Sequence, residues 1–336
     1  MNFDLTDDQR AIQRTARDFL AAGYKPEEIR RLAYETDRGF TDEGWQRICE
    51  LGWPALLVDE EHGGLGLGVV ELAVVQEELG AALAPSPFLS TIAAAALIAD
   101  AGSDEQRARW LPGLAAGEAR GTVATLRDGD GWSAVPDADG ADVVVLRDGA
   151  GWAVADGTGV SAEPAQALDP TRRLWSIEVG GEREPLPGDG ARAADVIAVA
   201  LAAESVGVAQ RTLDMAVAYA KEREQFGRPI GAYQAVSHAC AQMLLEVEGA
   251  RSTTLYAAWA LDHEPESGPL AASMAKAYAS DAGWRVPAAA LQVHGGIGFT
   301  WEHDLHLWLK RGKANAYLWG DAGEHRARVA QLIGLE

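Results

Sequence analysis

Apolar residues recur every three or four positions through most of this chain, and the two longest such stretches flank one short polar turn. Val206, Ala209, Leu213, Ala216, Val217 and Ala220 keep helical spacing before the turn, and Val236, Cys240, Met243, Val247 and Ala250 keep it afterwards. Two long bundle helices are predicted. Between them runs Tyr219-Ala-Lys-Glu-Arg-Glu-Gln-Phe-Gly-Arg-Pro-Ile-Gly-Ala-Tyr-Gln234. There Gly227 frees the backbone and Pro229 halts helix continuation, so Arg223 and Gln225 sit on a rigid corner able to hold an anion. The bland reading of this corner is a helix hairpin with a solvated arginine.

The same patterning divides the rest of the chain. Thr6-Asp-Asp-Gln9 is a capping box that opens a helix with Ile12, Ala16, Phe19 and Leu20 inward and Gly23 at its end. A second helix follows Thr41, with Trp45, Ile48 and Leu51 inward, and others are predicted over 71–83 and 88–101. Ser103-Asp-Glu-Gln106 caps another, which ends near Trp110-Leu-Pro-Gly113. From Gly121 the pattern changes to β-type runs over 122–126, 143–146, 152–155 and 175–179, separated by Gly, Asp and Pro clusters. A linker over 184–190 leads back to helices: the two long ones, a third over 269–293 bent before Pro287, a fourth after the glycines of 295–298, and a short last helix over 323–335. On the fourth, Trp301, Leu305, Trp308 and Leu309 form a core stripe. The expected fold is mainly α with a small β domain: a helical domain over 1–119, a reduced β domain over 120–187 and a four-helix bundle over 188–336.

Composition narrows the function classes. A 48% hydrophobic and 24% charged chain reads as an ordinary globular protein, and its 336 residues can bury a large core. The formal charge of -21 argues against nucleic acid or an anionic membrane as partner. Cys49 and Cys240 are too few for a disulfide framework or a zinc site, and no metal-ligand spacing occurs. The first residues lack a signal-type apolar run and no apolar run reaches membrane-spanning length, so a cytoplasmic location is expected. The glycines of Val58-Asp-Glu-Glu-His-Gly-Gly-Leu-Gly-Leu-Gly68 are not a dinucleotide fingerprint, because no strand precedes them. His294 and His238 read as backbone-bonding core residues, with no nucleophile pattern beside either.

A second motif, Leu291-Gln-Val-His-Gly-Gly-Ile-Gly-Phe-Thr300, joins the first. Together, in this order and separation, they resemble the acyl-CoA dehydrogenase family, as do the 58–68 glycine loop and the Glu77-Glu78-Leu79-Gly80 helix. The resemblance implies an FAD cofactor and an acyl-CoA substrate. It puts Arg223, Gln225, Phe226, Gln292, His294, Gly295 and Gly296 against the ADP half of an FAD whose flavin ring lies mostly in a neighbouring subunit. Glycine backbone and an arginine fork suit phosphate oxygens. The family's flavin-ring contacts from the β domain are poorly kept, with Thr125 the sole remnant and an edge-strand threonine its plain alternative.

The family also needs a carboxylate to remove the α-proton of the thioester. Aligned on Gly320 and Arg326, the usual glutamate position holds Trp319, and the minority position near the first bundle helix holds Ile197, beside Ala198. Two expectations follow. Either the chain resembles one half of the two-subunit, steroid-side-chain type of acyl-CoA dehydrogenase, an α2β2 assembly whose partner carries the base, or it is a homo-oligomer with a relocated base at Asp321, Glu324 or Asp195. Capping is the plain role for those three. A flavin-free scaffold is the third possibility.

Overall fold

The computed structural model describes residues 4–335. They form two compact units, 4–28 with Ala73–Ala84 and 198–335, and Ile29–Leu72 with Pro85–Ile197.

The first unit is helical. Helix α1 (Asp7–Gly23) opens on the Thr6 capping box, with both reciprocal hydrogen bonds formed. Helix α4 (Val69–Ala82) contributes from Ala73 onward, and α7 (Ala191–Glu222) from Ala198. Helices α8 (Gln234–His263), α9 (Gly268–His294), α10 (Leu305–Asn315) and α11 (Ala322–Leu332) complete the bundle. Its core takes Ala209, Leu213 and Ala216 from α7, Met243 and Val247 from α8, Val286 and Ala290 from α9, and Leu305 from α10. These are the residues whose spacing predicted the helices. Where α7 crosses α4 the backbones touch: a Cβ on Gly207 would lie 1.9 Å from the Glu77 carbonyl, and one on Gly80 2.1 Å from that of Glu204. Only glycine permits that approach. A buried ion pair, Arg311 Nη1 to Glu204 Oε1 at 2.6 Å, joins α10 to α7, and Asn315 donates to the other carboxylate oxygen at 3.0 Å.

The second unit contains α2 (Pro26–Glu35, from Ile29), α3 (Asp42–Glu50), α5 (Phe88–Ala101) and α6 (Asp104–Ala116). Its eight strands are β1 (Gly121–Ala124), β2 (Leu126–Asp128), β3 (Gly131–Pro136), β4 (Val143–Asp148), β5 (Gly151–Asp156), β6 (Val160–Ala165), β7 (Leu174–Val179) and β8 (Arg183–Leu186). They make two four-stranded sheets, β1-β4-β5-β8 and β2-β3-β7-β6, around one core that includes Trp132, Val144, Leu146, Trp175 and Ile177.

Several expectations need correction. Helix α2 escaped notice although Pro26 at its first position and Glu27 and Glu28 in its first turn are start signals; Ile29, Leu32 and Ala33 bury its face. Helix α6 does not end near 110–113 but runs through Pro112 to Ala116, because Leu111, Leu114 and Ala115 are buried on either side of the proline. The 122–126 run is two strands in different sheets, and the 184–190 linker begins as β8, held to α6 by Gln106 donating to the Pro185 carbonyl at 3.1 Å. Strands β3 and β6 and most of β2 were not predicted. Trp301 precedes α10 and is 58% exposed, so the core stripe is Leu305 and Trp308 without it. Both cysteines are free and half-buried. Helix α7 is long and apolar enough to cross a bilayer, contrary to expectation, but 89% of its most apolar window is buried, as in a core helix.

Candidate functional site

Helix α7 ends where the apolar spacing stops, and the chain reverses in a miniature hairpin. Strand β9 (Glu224–Gln225) pairs with β10 (Arg228–Pro229), leaving Phe226 and Gly227 at its tip. Both tip residues are left-handed, at φ 53° and 79°, as a two-residue reversal of matching twist requires. The corner is stiffened from below: Ile230 N–H donates to the Arg223 carbonyl at 2.8 Å, and the Tyr233 hydroxyl donates to that of Gln225 at 3.1 Å. Arg228 lies 4.0 Å over the Tyr233 ring. Gln225 turns its amide back to the Glu224 carbonyl at 2.7 Å, and the Phe226 ring is 93% exposed. The Arg223 guanidinium is exposed and has no ion-pair or hydrogen-bond partner among the described residues. An anion could recruit it without breaking an existing pair.

The second motif ends α9. Gly295, at φ 62°, closes the helix by donating to the carbonyls of Gln292 and Leu291. A Cβ on Gly295 or Gly296 would meet nothing within 4 Å, so the backbone here faces open space rather than a packed neighbour. Gln292 is exposed on the last turn. His294 differs: it is 4% exposed, its Nδ1–H donates to the Ala290 carbonyl at 2.8 Å, and its ring stacks 4.6 Å from Tyr219 and meets His303 edge-on at 4.5 Å. It is therefore a structural residue, and its stack brings the end of α9 against the end of α7. Sequence inspection singled out His294 but missed Tyr219 and His303, which bring the two motifs to one end of the bundle.

The turn after α10 contains Trp319 and Gly320, both left-handed at φ 63° and 91°. The His325 Nε2–H donates to the Trp319 carbonyl at 3.0 Å. Lys276 of α9 is 1% exposed and donates to Ser280 Oγ at 2.9 Å, to the Asn315 carbonyl at 2.9 Å and to the Gly320 carbonyl at 3.0 Å. Burial pushes its pKa down to about 8, against the opposing pull of Asp321 and Glu324. Those two carboxylates form a reciprocal capping box that starts α11, each accepting the other's backbone N–H at 2.9 Å. The Asp321 carboxyl is held below its usual range, first by the Glu324 N–H. Such an acid is a weak proton acceptor.

Three further residues lie in the second unit. Thr125 is exposed between β1 and β2, at the switch from one sheet to the other. Ile197 is 3% exposed and Asp195 is 2% exposed. Asp195 does not cap α7 as the alternative reading expected: Asp189 accepts from the Ala191 N–H and Asp100 from that of Ala193, each at 3.0 Å. No group of three or more His, Cys, Asp or Glu residues suited to a metal occurs among the described residues. A cavity of about 470 Å³ in the first unit is lined by Gln13, Arg17, Glu77, Glu78, Gln210 and Arg251, whose charges pair with one another.

Residues 6–118 match the acyl-CoA dehydrogenase N-terminal domain, and residues 192–334 match the C-terminal domain. Over 315 residues the chain is 39% identical to acyl-CoA dehydrogenase IpdE2 of Mycobacterium tuberculosis, covering 93% of each chain. Among solved structures it is similar to the ChsE4-ChsE5 complex from Mycobacterium tuberculosis, with 25% identity, a TM-score of 0.91 and 100% of both chains covered. It is also similar to a variant of the Tcur3481-Tcur3483 steroid ACAD, with 30% identity, a TM-score of 0.88 and 98% of each chain covered.

Proposed function

Because the chain belongs to the acyl-CoA dehydrogenase family, we propose that it is the half-site subunit of a heteromeric, FAD-dependent enzyme that desaturates an acyl-CoA thioester. An unlike partner, in an α2β2 assembly, supplies the base. When bound, FAD supplies the hydride acceptor. The donor set of this chain fits the ADP end of that cofactor: an unpaired guanidinium at Arg223, an exposed amide at Gln292, and open backbone at Gly295 and Gly296. Gln225 and the Phe226 ring complete the corner, His294 holds the two motifs together, and the Thr125 hydroxyl is assigned to the flavin ring.

The observation that carries this reading is Trp319. An indole has no lone pair able to take a proton at neutral pH, and it stands where the family's base is expected. The neighbouring carboxylates are engaged: Asp321 and Glu324 cap α11. That leaves a self-sufficient homo-oligomer with Asp195 as its remaining candidate base, and Asp195 is buried at 2% exposure with partners of its own. A flavin-free scaffold would have no use for an exposed, unpaired Arg223 beside open glycines. Similarity to a complex of two named chains supports the heteromeric form.

Two variants of the assembled enzyme test the cofactor assignment. Arg223→Ala removes the phosphate contact and is expected to lower flavin content after gel filtration about tenfold, the equivalent of one charge-assisted hydrogen bond of roughly 1.5 kcal/mol. Gly296→Val places methyl groups in space that is open in this chain, so with FAD stripped from both its thermal midpoint should match wild type, while its flavin content falls. Full flavin content in both variants would overturn the assignment.

A further inference from the structure

A tryptophan in the left-handed region is uncommon and persists only where its surroundings over-determine it. At Trp319 the surroundings are two buried donors, one on each side of the turn. Lys276 reaches it from α9 and His325 from α11, and their acceptors include the carbonyls of the two successive left-handed residues, Gly320 and Trp319. The Trp319 carbonyl lies in the peptide plane that joins Trp319 to Gly320 and the Gly320 carbonyl in the next one, so the two bonds fix the glycine between them and anchor Trp319 on its C-terminal side. If Lys276 served only to end α10, the Asn315 carbonyl would be acceptor enough; its further bond to Gly320 ties the turn to α9. A third donor goes to Ser280 on its own helix, so every N–H of the buried ammonium is used. Across the turn, a Cβ on Gly320 would lie 3.0 Å from His325 Nε2, so the imidazole closes directly over the glycine.

We propose that Lys276 and His325 are positioning residues that lock the Trp319–Gly320 turn and hold the indole rigidly in the place where the family's base is expected. The inference deepens the proposed function and rests on it for the meaning of that place; the lock itself rests on the geometry alone. The competing account is that the Asp321–Glu324 capping box sets the turn unaided.

The full-length chain, in the assembly in which it purifies, is labelled with 5-fluorotryptophan, and the fluorine resonances of Trp319 and Trp308 are assigned through Trp319→Phe and Trp308→Phe. Trp308 is a core reporter, 2% exposed and donating to the Ala81 carbonyl at 3.1 Å. In Lys276→Met and in His325→Phe, the Trp319 line should broaden or split while the Trp308 line stays unchanged. An unchanged Trp319 line in the folded variants, or both lines moving together as in a general loss of packing, overturns the proposal. Should Lys276→Met fail to fold, His325→Phe supplies the same reading. Flavin content of the same assembly separates the two ideas. If the assembly carries no FAD but the Trp319 line still responds to the variants, the lock stands and the proposed function is what fails.

Discussion

At Lys276 an ammonium is held without a carboxylate in contact, and the chemistry of that burial has a measurable sign. Its pKa falls from 10.5 to about 8, chiefly through desolvation, while Asp321 and Glu324 pull the other way. The unfolded chain keeps this proton up to about pH 10.5, so between about 8 and 10.5 the unfolded state binds more protons and folded stability rises with pH. Below that window the buried charge costs about 3 kcal/mol. Urea unfolding at pH 7.5 and pH 10 should show wild type gaining stability relative to Lys276→Met, and a difference that stays flat would contradict the account. The comparison with Lys276→Met removes other alkaline titrations, such as the Cys49 thiol that burial pushes up to about 11. Lys276 was not legible in the sequence, because its partners at 315 and 320 lie far along the chain and are backbone carbonyls. The capping role of Asp321 and Glu324 was legible, since three-residue spacing before a helix carries it. The exposure of Phe226 follows from its place at the hairpin tip, and that of Gln225 and Arg223 from the strand and the turn that lead to it. That His294 is a backbone-bonded core residue was legible, whereas its ring contacts with Tyr219 and His303 follow only from the fold.

Helix positions were read from local signals, and the reading succeeded where those signals were local. The boxes at Thr6 and Ser103 start α1 and α6 as expected. Failures came where tertiary burial decided the outcome, as when α6 continues through Pro112, or where a strand carries polar and proline residues, as β6 and β8 do. The α4–α7 crossing is a tertiary feature with a sharp consequence. Gly207→Ala drives a methyl group into the Glu77 carbonyl, and the overpacking should cost about 3 kcal/mol, read as a lower urea midpoint at constant slope. An effect below the scatter of the measurement would mean that the helices shift apart freely. The same pair of helices is clamped to α8 by Arg251, which donates to Glu77 at 3.0 Å and to Gln210 at 2.7 Å and also pairs with Glu248. Burial holds the Glu77 carboxyl above its ordinary range despite Arg251. Glu77→Gln should therefore be nearly neutral, whereas Arg251→Ala leaves two carboxylates uncompensated and should cost about 2 kcal/mol in this half-buried setting. Equal effects of the two changes in thermal unfolding would contradict the asymmetry.

For the assembled protein, the account joins an intact cofactor corner to a missing base. The corner has an unpaired arginine and open glycine backbone, and the base position has an indole on a locked turn. On the proposed reading, a chain with a charge of -21 depends on local donors to hold phosphates, and Arg223 and the glycine turn are assigned that role. On that reading the site is completed by an unlike partner. The direct test is flavin content and subunit stoichiometry of this chain purified alone and then co-expressed with an acyl-CoA-dehydrogenase-like partner encoded beside it. The account predicts a colourless chain alone and a yellow complex with one FAD per two unlike chains. A lone chain that carries one FAD per protomer and is bleached by an acyl-CoA would contradict it.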